Sequence, residues 1–342
     1  MINSLLKRWD KYWFTSTNRY QYGLFRILLV GGLFLVAWDA WNFYGLEGIT
    51  RAPVEFTQPV FLAQVFHFPI SIPPEWLSPL RWILRILVFT SFIGLGTRPS
   101  LIALAGLNLY LNTLLNSFGF IDHATTLPSL VLVVLAFAPG VDQLSVDSLI
   151  TYVRKKGLVR PPKLSLFEGS FPIWPANLIL VIMAFAYFTS GFSKVRFGTV
   201  AWMDGQTLAA YLSEPHPVDY FSAALNAPDS AKWKDGAGLV SFIYSTGQPT
   251  PLAKSLAQIP LAMLLLSSFS VLWEITFPIV LVFRRLLPLY LLGGIAFHVG
   301  IMATLSLYSF YSYILCYLLF VDWKRLTQPL IKRLQPVSIG SP

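Results

Sequence analysis

The sequence predicts an all-α, polytopic integral membrane protein, and three observations carry that prediction. Of its 342 residues 55% are hydrophobic and only 12% charged, where a soluble domain carries about 25% charge. Several apolar runs reach about 20 residues, enough to cross a hydrocarbon core. The basic residues gather in short clusters beside those runs, as membrane topology requires. A transmembrane barrel would show alternating segments of about ten residues, and the sequence has none.

The net charge of +9 is explained by those flanking clusters, so nucleic acid is not an expected partner; the lipid bilayer is. The single cysteine, Cys316, lies inside an apolar run, which excludes an internal disulfide and Cys-x-x-Cys chemistry. The N-terminus is basic but lacks a short apolar core followed by a small-residue cleavage site. The first apolar run therefore reads as an uncleaved helix.

The elements follow in order. Residues 1–19 carry Lys7, Arg8, Lys11 and Arg19 among Trp9, Tyr12, Trp13 and Phe14, and read as an interfacial segment. Spans are expected at about 20–41, 80–95, 101–118, 125–141, 173–193, 259–283, 287–304 and 307–321, within one domain covering 1–342. A proline-rich loop, 43–79, follows the first span, and its run FLAQVFHFPI is suited to dip into the interface. A basic loop, YVRKKGLVRPPK, follows the fourth, and a long outer loop, 194–254, follows the fifth. Thr250-Pro251 reads as a helix start, a cap followed by a first-turn proline. With both termini cytoplasmic, sixteen of the 25 basic residues face inward, the expected bias. Asp122, His123 and Lys194 then share the outer side, which places a candidate site on the outer face of the cell membrane.

The stretch with most chemical content is YFTSGFSKVRFGTVAWMDGQTLAAYL, Tyr187 to Leu212. Lys194 stands where an apolar run gives way to a polar, turn-rich segment, followed by Arg196, Trp202 and Asp204-Gly205. A lysine at a membrane rim is ordinarily a snorkelling anchor. Backed by Phe192, Val195 and Phe197 under a folded loop, it reads instead as a desolvated amine, which burial pushes towards its proton-accepting form. Such an amine is a usable general base.

Charges inside spans cost at least ~2.5 kcal/mol at the bilayer centre, and Arg26, Arg85, Glu274 and His298 stand there. Glu274 and His298 lie about ten residues, roughly 15 Å, inside their spans. Two readings stay open: a structural polar core, with Glu274 paired to Arg26 or bonded to His298, or a functional pocket. His123 beside Asp122 is either a solvated first-turn residue or a ligand donor. His67 and His216 lie in loops. The four histidines are scattered, so no metal site is expected.

The stretch around Lys194 resembles a signature of the HTTM (horizontally transferred transmembrane) family, which includes the membrane part of vitamin K-dependent gamma-glutamyl carboxylases. Two further stretches are similar to it: Asp122-His123 with the ending Pro139-Gly140-Val-Asp142-x-x-Ser145-Val-Asp147, and Trp273-Glu274-Ile-Thr-Phe277-Pro278 followed by Arg284-Arg285 and Phe297-His298. The resemblance covers nearly the whole chain. It implies that Lys194 is the base that deprotonates a reduced naphthoquinone, a vitamin K or menaquinone-type quinol. Oxygenation of that quinol would drive γ-carboxylation of a glutamate in a secreted substrate, without a metal. His123 would hydrogen-bond the quinol. Asp122, Arg196, Trp202 and Asp204 would line the pocket, and Arg26, Arg85, Glu274 and His298 would hold the polar core.

The family carboxylase continues into a large lumenal β-rich portion that helps hold its substrate. This sequence ends about twenty residues after its last expected span, so a partner protein would supply that portion. Short bacterial family members include some that resemble proteins needed to mature secreted peptide toxins. The resemblance therefore also implies an alternative, a non-catalytic membrane partner in maturation or export of such a peptide. A transporter is weaker, because paired broken helices are not evident.

Overall fold

The computed structural model describes residues 2–35, 59–117, 123–156, 169–198, 202–213, 249–307 and 310–326. The chain is mostly helical. Helix α1 spans Ile2–Phe14, α2 Tyr22–Val30, α3 Phe61–Phe66, α4 Leu77–Ile93, α5 Thr97–Ser117, α6 His123–Phe137 and α7 Val146–Lys156. Helix α8 spans Trp174–Gly198, α9 Gln206–Ser213, α10 Pro251–Ala257, α11 Pro260–Thr276, α12 Ile279–Val282, α13 Leu287–Leu305 and α14 Tyr311–Tyr317. The described β structure is one antiparallel bridge, Ser16–Thr17 (β1) against Phe171–Pro172 (β2).

Local chemistry sets several of the ends. Thr250 caps α10 as the sequence predicts, its hydroxyl accepting from the Ala253 amide at 3.2 Å, with Pro251 in the first turn. Gly94 closes α4 in the left-handed region, φ 71°. Arg98 donates to the last carbonyls of α6 and the turn beyond, Ala136 at 3.5 Å and Ala138 at 3.3 Å, as a basic residue at a helix C-terminus does. Pro278 interrupts the sixth expected span, dividing it into α11 and α12.

Three helical stretches are long and apolar enough to cross a membrane: Pro74–Ile93, Trp174–Gly198 and Arg284–Leu305. A fourth arises if α10 and α11, bent by 102°, count as one. Tyr22–Leu33, Thr126–Phe137 and Tyr311–Phe320 are apolar but shorter. Helix α5 has the length, 21 residues, but Asn108, Asn112 and Asn116 dilute its hydropathy. Among the described residues, three helical stretches, or four with the bent pair, reach full membrane length, and the other expected spans coincide with shorter or less apolar helical segments. The first expected span is followed only to Leu35, because its remainder lies outside the described residues.

The surface is apolar where a water-soluble protein would be polar. Helix α4 exposes Trp82, Ile83, Ile86 and Phe89, α8 exposes Phe185, Phe192 and Phe197, and α13 exposes Leu289 and Leu292. Contiguous apolar surface on this scale marks a membrane-associated protein. The interior is an apolar core in which buried polar groups are set. Ser129 on α6 accepts from Asn108 at 2.6 Å and Asn112 at 2.7 Å on α5. Such bonds between helices replace the hydrophobic drive that lipid cannot supply.

Arg26 is completely buried at the junction of α2, α4 and α7. Its guanidinium donates to the Leu144 carbonyl at 2.7 Å and to the Thr97 hydroxyl at 3.5 Å. A Cβ at Gly94 would lie 2.0 Å from the Arg26 Nη1, so the glycine both makes the turn and clears the arginine. Asp147, in the first turn of α7, accepts from the amides of Gly96 at 2.9 Å and Thr97 at 2.6 Å. It therefore caps α5 from another helix. Arg85, expected in the polar core, is only half-buried, with its guanidinium 5.1 Å from the centre of the exposed Trp82 ring. It lies on a lipid-facing flank.

Partial burial raises the Asp147 pKa, but the Thr97 and Gly96 hydrogen bonds and the nearby Arg26 charge outweigh it and hold the carboxyl below its usual range. A depressed carboxyl contributes stability above its unfolded pKa, about 4, and loses it as pH falls through the lower folded value. Asp147→Asn should therefore cost about 2 kcal/mol at neutral pH, with the gap to wild type closing below pH ~4. Thermal unfolding in detergent at two pH values reads this. A gap of equal size at both would show that the carboxylate charge does not hold the α4–α7 junction.

Candidate functional site

The candidate site lies in the seam between α8 and α11. One face of α8 presents Tyr187, Gly191 and Lys194 at the i, i+4, i+7 spacing that aligns residues on a helix. The facing side of α11 presents Ser267, Ser270 and Glu274 at i, i+3, i+7 spacing, which likewise shares one face. A Cβ at Gly191 would lie 2.8 Å from the Glu274 Cβ and 2.9 Å from the Ile275 amide nitrogen. Only glycine allows the helices to approach this closely.

That approach creates an ion pair. Lys194 Nζ lies 2.5 Å from Glu274 Oε2, with the lysine side chain 18% and the glutamate 4% exposed. The ammonium also reaches the Ser270 hydroxyl at 3.4 Å, and Ser190 donates to Glu274 Oε1 at 3.4 Å. Trp202 covers it, its ring centre 5.2 Å from Nζ, and the Phe297 ring centre from α13 lies 6.0 Å away. Both lie within the range of a cation–π contact.

Serine hydroxyls on α11 fix the Trp202 turn. Ser267 and Ser268 both donate to the Met203 carbonyl, at 3.2 and 3.1 Å. Gly205, φ 86°, lets the turn lie on α11, since a Cβ there would be 2.7 Å from the Leu264 amide nitrogen. Helices α9 and α10 pack beside it through Leu212, Ala253 and Met263.

A second polar group lies deeper in the bundle. His298 Nε2 is 2.7 Å from the Tyr187 hydroxyl, which also meets the Tyr317 hydroxyl. All three side chains are buried. Trp273, Phe277, Phe310 and Tyr313 surround them, with ring centres 4.5–5.5 Å from Tyr187 or His298.

The structure brings some predicted residues together and separates others. Lys194 and Trp202 meet. Lys194 is not at a helix end as expected, because α8 continues one more turn to Gly198. Glu274 pairs with Lys194 and not with Arg26 or His298: Arg26 serves the α4–α7 junction, and His298 bonds Tyr187. The expected polar core is therefore three separate groups. Arg196 is exposed, with its guanidinium 5.2 Å from the centre of its own neighbour Phe197; two residues along a helix point away from each other. Asp204 is exposed, and its carboxylate accepts from the Gln206 amide at 2.8 Å, starting α9. His123 opens α6, but its side chain, all of Asp122 and His216 lie outside the described residues. His67 ends α3 in the left-handed region, φ 50°.

Ser190, Ser270, Tyr187 and Tyr317 join the site without having been singled out. For two of them the signal was available: Ser190 and Ser270 each precede a charged residue by one helical turn. Tyr187 and Tyr317 gave none, because their neighbours come from distant helices. Among the described residues, no three His, Cys, Asp or Glu side chains are placed to share a metal ion. Comparison with protein-family models, curated proteins and solved structures returned no match.

Lys194 and Glu274 act as one unit, so neither can be removed alone without stranding the other. Lys194→Met should destabilise the protein by about 3 kcal/mol, because it leaves a carboxylate buried without its partner. Glu274→Gln should also destabilise, by less, because the lysine retains some solvent. The double replacement should recover most of the loss. A double-mutant cycle by thermal unfolding in detergent measures this, and strict additivity would rule out the pairing.

Proposed function

We propose that the chain is a multi-pass protein of the cell membrane, with about eight passes and both termini in the cytoplasm, and that Lys194 is the base of a carboxylase-like quinol site towards the outer face. The observation that carries this reading is the Lys194–Glu274 pair, an amine and a carboxylate 2.5 Å apart in a helix seam roofed by an indole. The inward count of basic residues supports the orientation.

The surroundings of Lys194 fit a reduced naphthoquinone. Trp202 and Phe297 offer flat apolar faces beside Nζ, and the exposed Phe188 and Phe192 stack at 5.9 Å on the same helix, suiting approach from lipid. When bound, such a quinol supplies the oxidisable ring whose reaction with oxygen drives proton removal from a glutamate side chain and addition of carbon dioxide.

The chain's own part is acid–base. Lys194 Nζ would serve as the proton acceptor, with Glu274 Oε2, 2.5 Å away, the group placed to receive the proton it first carries. In an apolar seam that exchange relieves the cost of holding two separate charges. Lys194 Nζ would then accept a hydroxyl proton from the bound quinol, and the resulting ammonium would be held by the Ser270 hydroxyl and the Trp202 face. Ser190 holds the other oxygen of Glu274, keeping the carboxyl aimed at the amine. Trp202 and its turn exclude the water that would quench a strong base. His123 is the proposed hydrogen-bond donor to the bound group.

The test is epoxide formation by the purified, lipid-reconstituted protein given reduced menaquinone or vitamin K and oxygen, with no peptide present. Wild type should form epoxide, and the Lys194→Met/Glu274→Gln protein should lose at least ~100-fold, the lower range for general base catalysis. Silence from well-folded wild type would remove the quinol reading. Weight would then pass to the non-catalytic partner for a secreted peptide, which should co-purify with that peptide.

A further inference from the structure

Among the described residues, helix α1 is clamped to the bundle at its C-terminal end. Its Tyr12 carbonyl accepts from the Asn177 side chain of α8. Arg284 donates to the Tyr12 hydroxyl and to Asn177 Oδ1, both at 2.7 Å, and lies over the Tyr12 ring at 5.2 Å. Just beyond, the Ile173 amide donates to the Thr15 carbonyl at 3.0 Å, and β1 pairs with β2. Residues 12–17 are thereby tied down.

In the preceding turns, the described side chains Leu6, Lys7, Trp9, Asp10 and Lys11 are exposed. Leu6, Trp9 and Trp13 lie on one side of α1 at i, i+3, i+7 spacing. Trp13 is half-buried, but Leu6 is 55% and Trp9 60% exposed. Lys7 and Lys11, four residues apart, occupy the opposite side and are exposed. Beside the clamp, Arg19 and Arg285 add two exposed basic side chains, against one acid, Asp10, on the helix. An apolar row backed by lysines suits the headgroup–acyl boundary of a bilayer. The exposed apolar surface of the bundle identifies what covers it. An acidic peptide would match the lysines but leave Trp9 and Leu6 in water.

We propose that α1 is an anionic-lipid-binding arm. Leu6 and Trp9 insert at the acyl boundary, while Lys7 and Lys11 engage the negative charge of phospholipid headgroups, with the Tyr12–Asn177–Arg284 clamp as its fixed root. This does not depend on the quinol reading.

The test uses the full chain carrying Leu6→Cys, labelled with an environment-sensitive dye; Cys316 is buried and stays unlabelled in the folded protein. The protein is placed in discs of phosphatidylcholine alone or with phosphatidylglycerol, and quenching by neutral acrylamide is read. Phosphatidylglycerol should lower quenching several-fold and salt should reverse the effect. Lys7→Gln/Lys11→Gln should abolish it, since each lysine near an anionic surface is worth about a five-fold change in partitioning. Equal quenching in both lipids would overturn the proposal. So would a lysine effect of the same size in phosphatidylcholine alone, which would assign the lysines to docking on the bundle. The salt titration of the labelled Leu6→Cys protein alone decides the matter if the lysine variant fails to fold.

Discussion

Two opposite charges held within a helix seam constrain the middle of this structure. The Lys194–Glu274 contact requires α8 and α11 to approach until only a glycine fits between them, which Gly191 provides. It requires hydroxyls on both sides of the carboxylate, which Ser190 and Ser270 provide. It also needs a cover, and the turn through Trp202 is pinned to α11 by two serines for that purpose. Such a pair gives little net stability over well-packed apolar residues, because desolvation offsets most of the attraction. Its geometric demands are strict, so it fixes the register of the two helices on which it sits.

The remainder of the bundle follows the same economy. Arg26 and Asp147 gather the start of α2, the turn between α4 and α5 and the start of α7 around one left-handed glycine. Asn108, Asn112 and Ser129 do the same between α5 and α6, and Tyr187, His298 and Tyr317 between α8, α13 and α14. Each group joins separate helices through hydrogen bonds that lipid cannot replace. Apolar side chains fill the space between these groups and also cover the outside.

Helix order, the Thr250-Pro251 start and the indole beside Lys194 were legible in the sequence. Each depends on a local signal: an apolar run, a cap, a proline, or a loop too short to carry Trp202 far away. Partnerships were not legible. Glu274 had two expected partners, Arg26 and His298, and nothing local pointed to Lys194. The choice falls to Lys194 because Gly191 brings that helix closest. The end of α8 was misplaced for a related reason. A lysine looked like the rim of a span, but a carboxylate across the seam lets the helix carry it one turn further. Arg85 was assigned to the core because depth along a span was used as a measure of burial, whereas the side it faces decides.

Helix α8 is tied at both ends, to Tyr12 and Arg284 through Asn177 and to Glu274 through Lys194. The seventeen residues between those ties span about 25 Å, somewhat less than the ~30 Å of a typical hydrocarbon core. The helix is thus a ruler of fixed length. A thin bilayer leaves the lysine at the headgroup level, where water relieves its charge. A thicker one draws the same lysine below the surface, since the ties on both sides limit tilting. The thickness of the surrounding membrane thereby becomes a control on how dry the ion pair is kept.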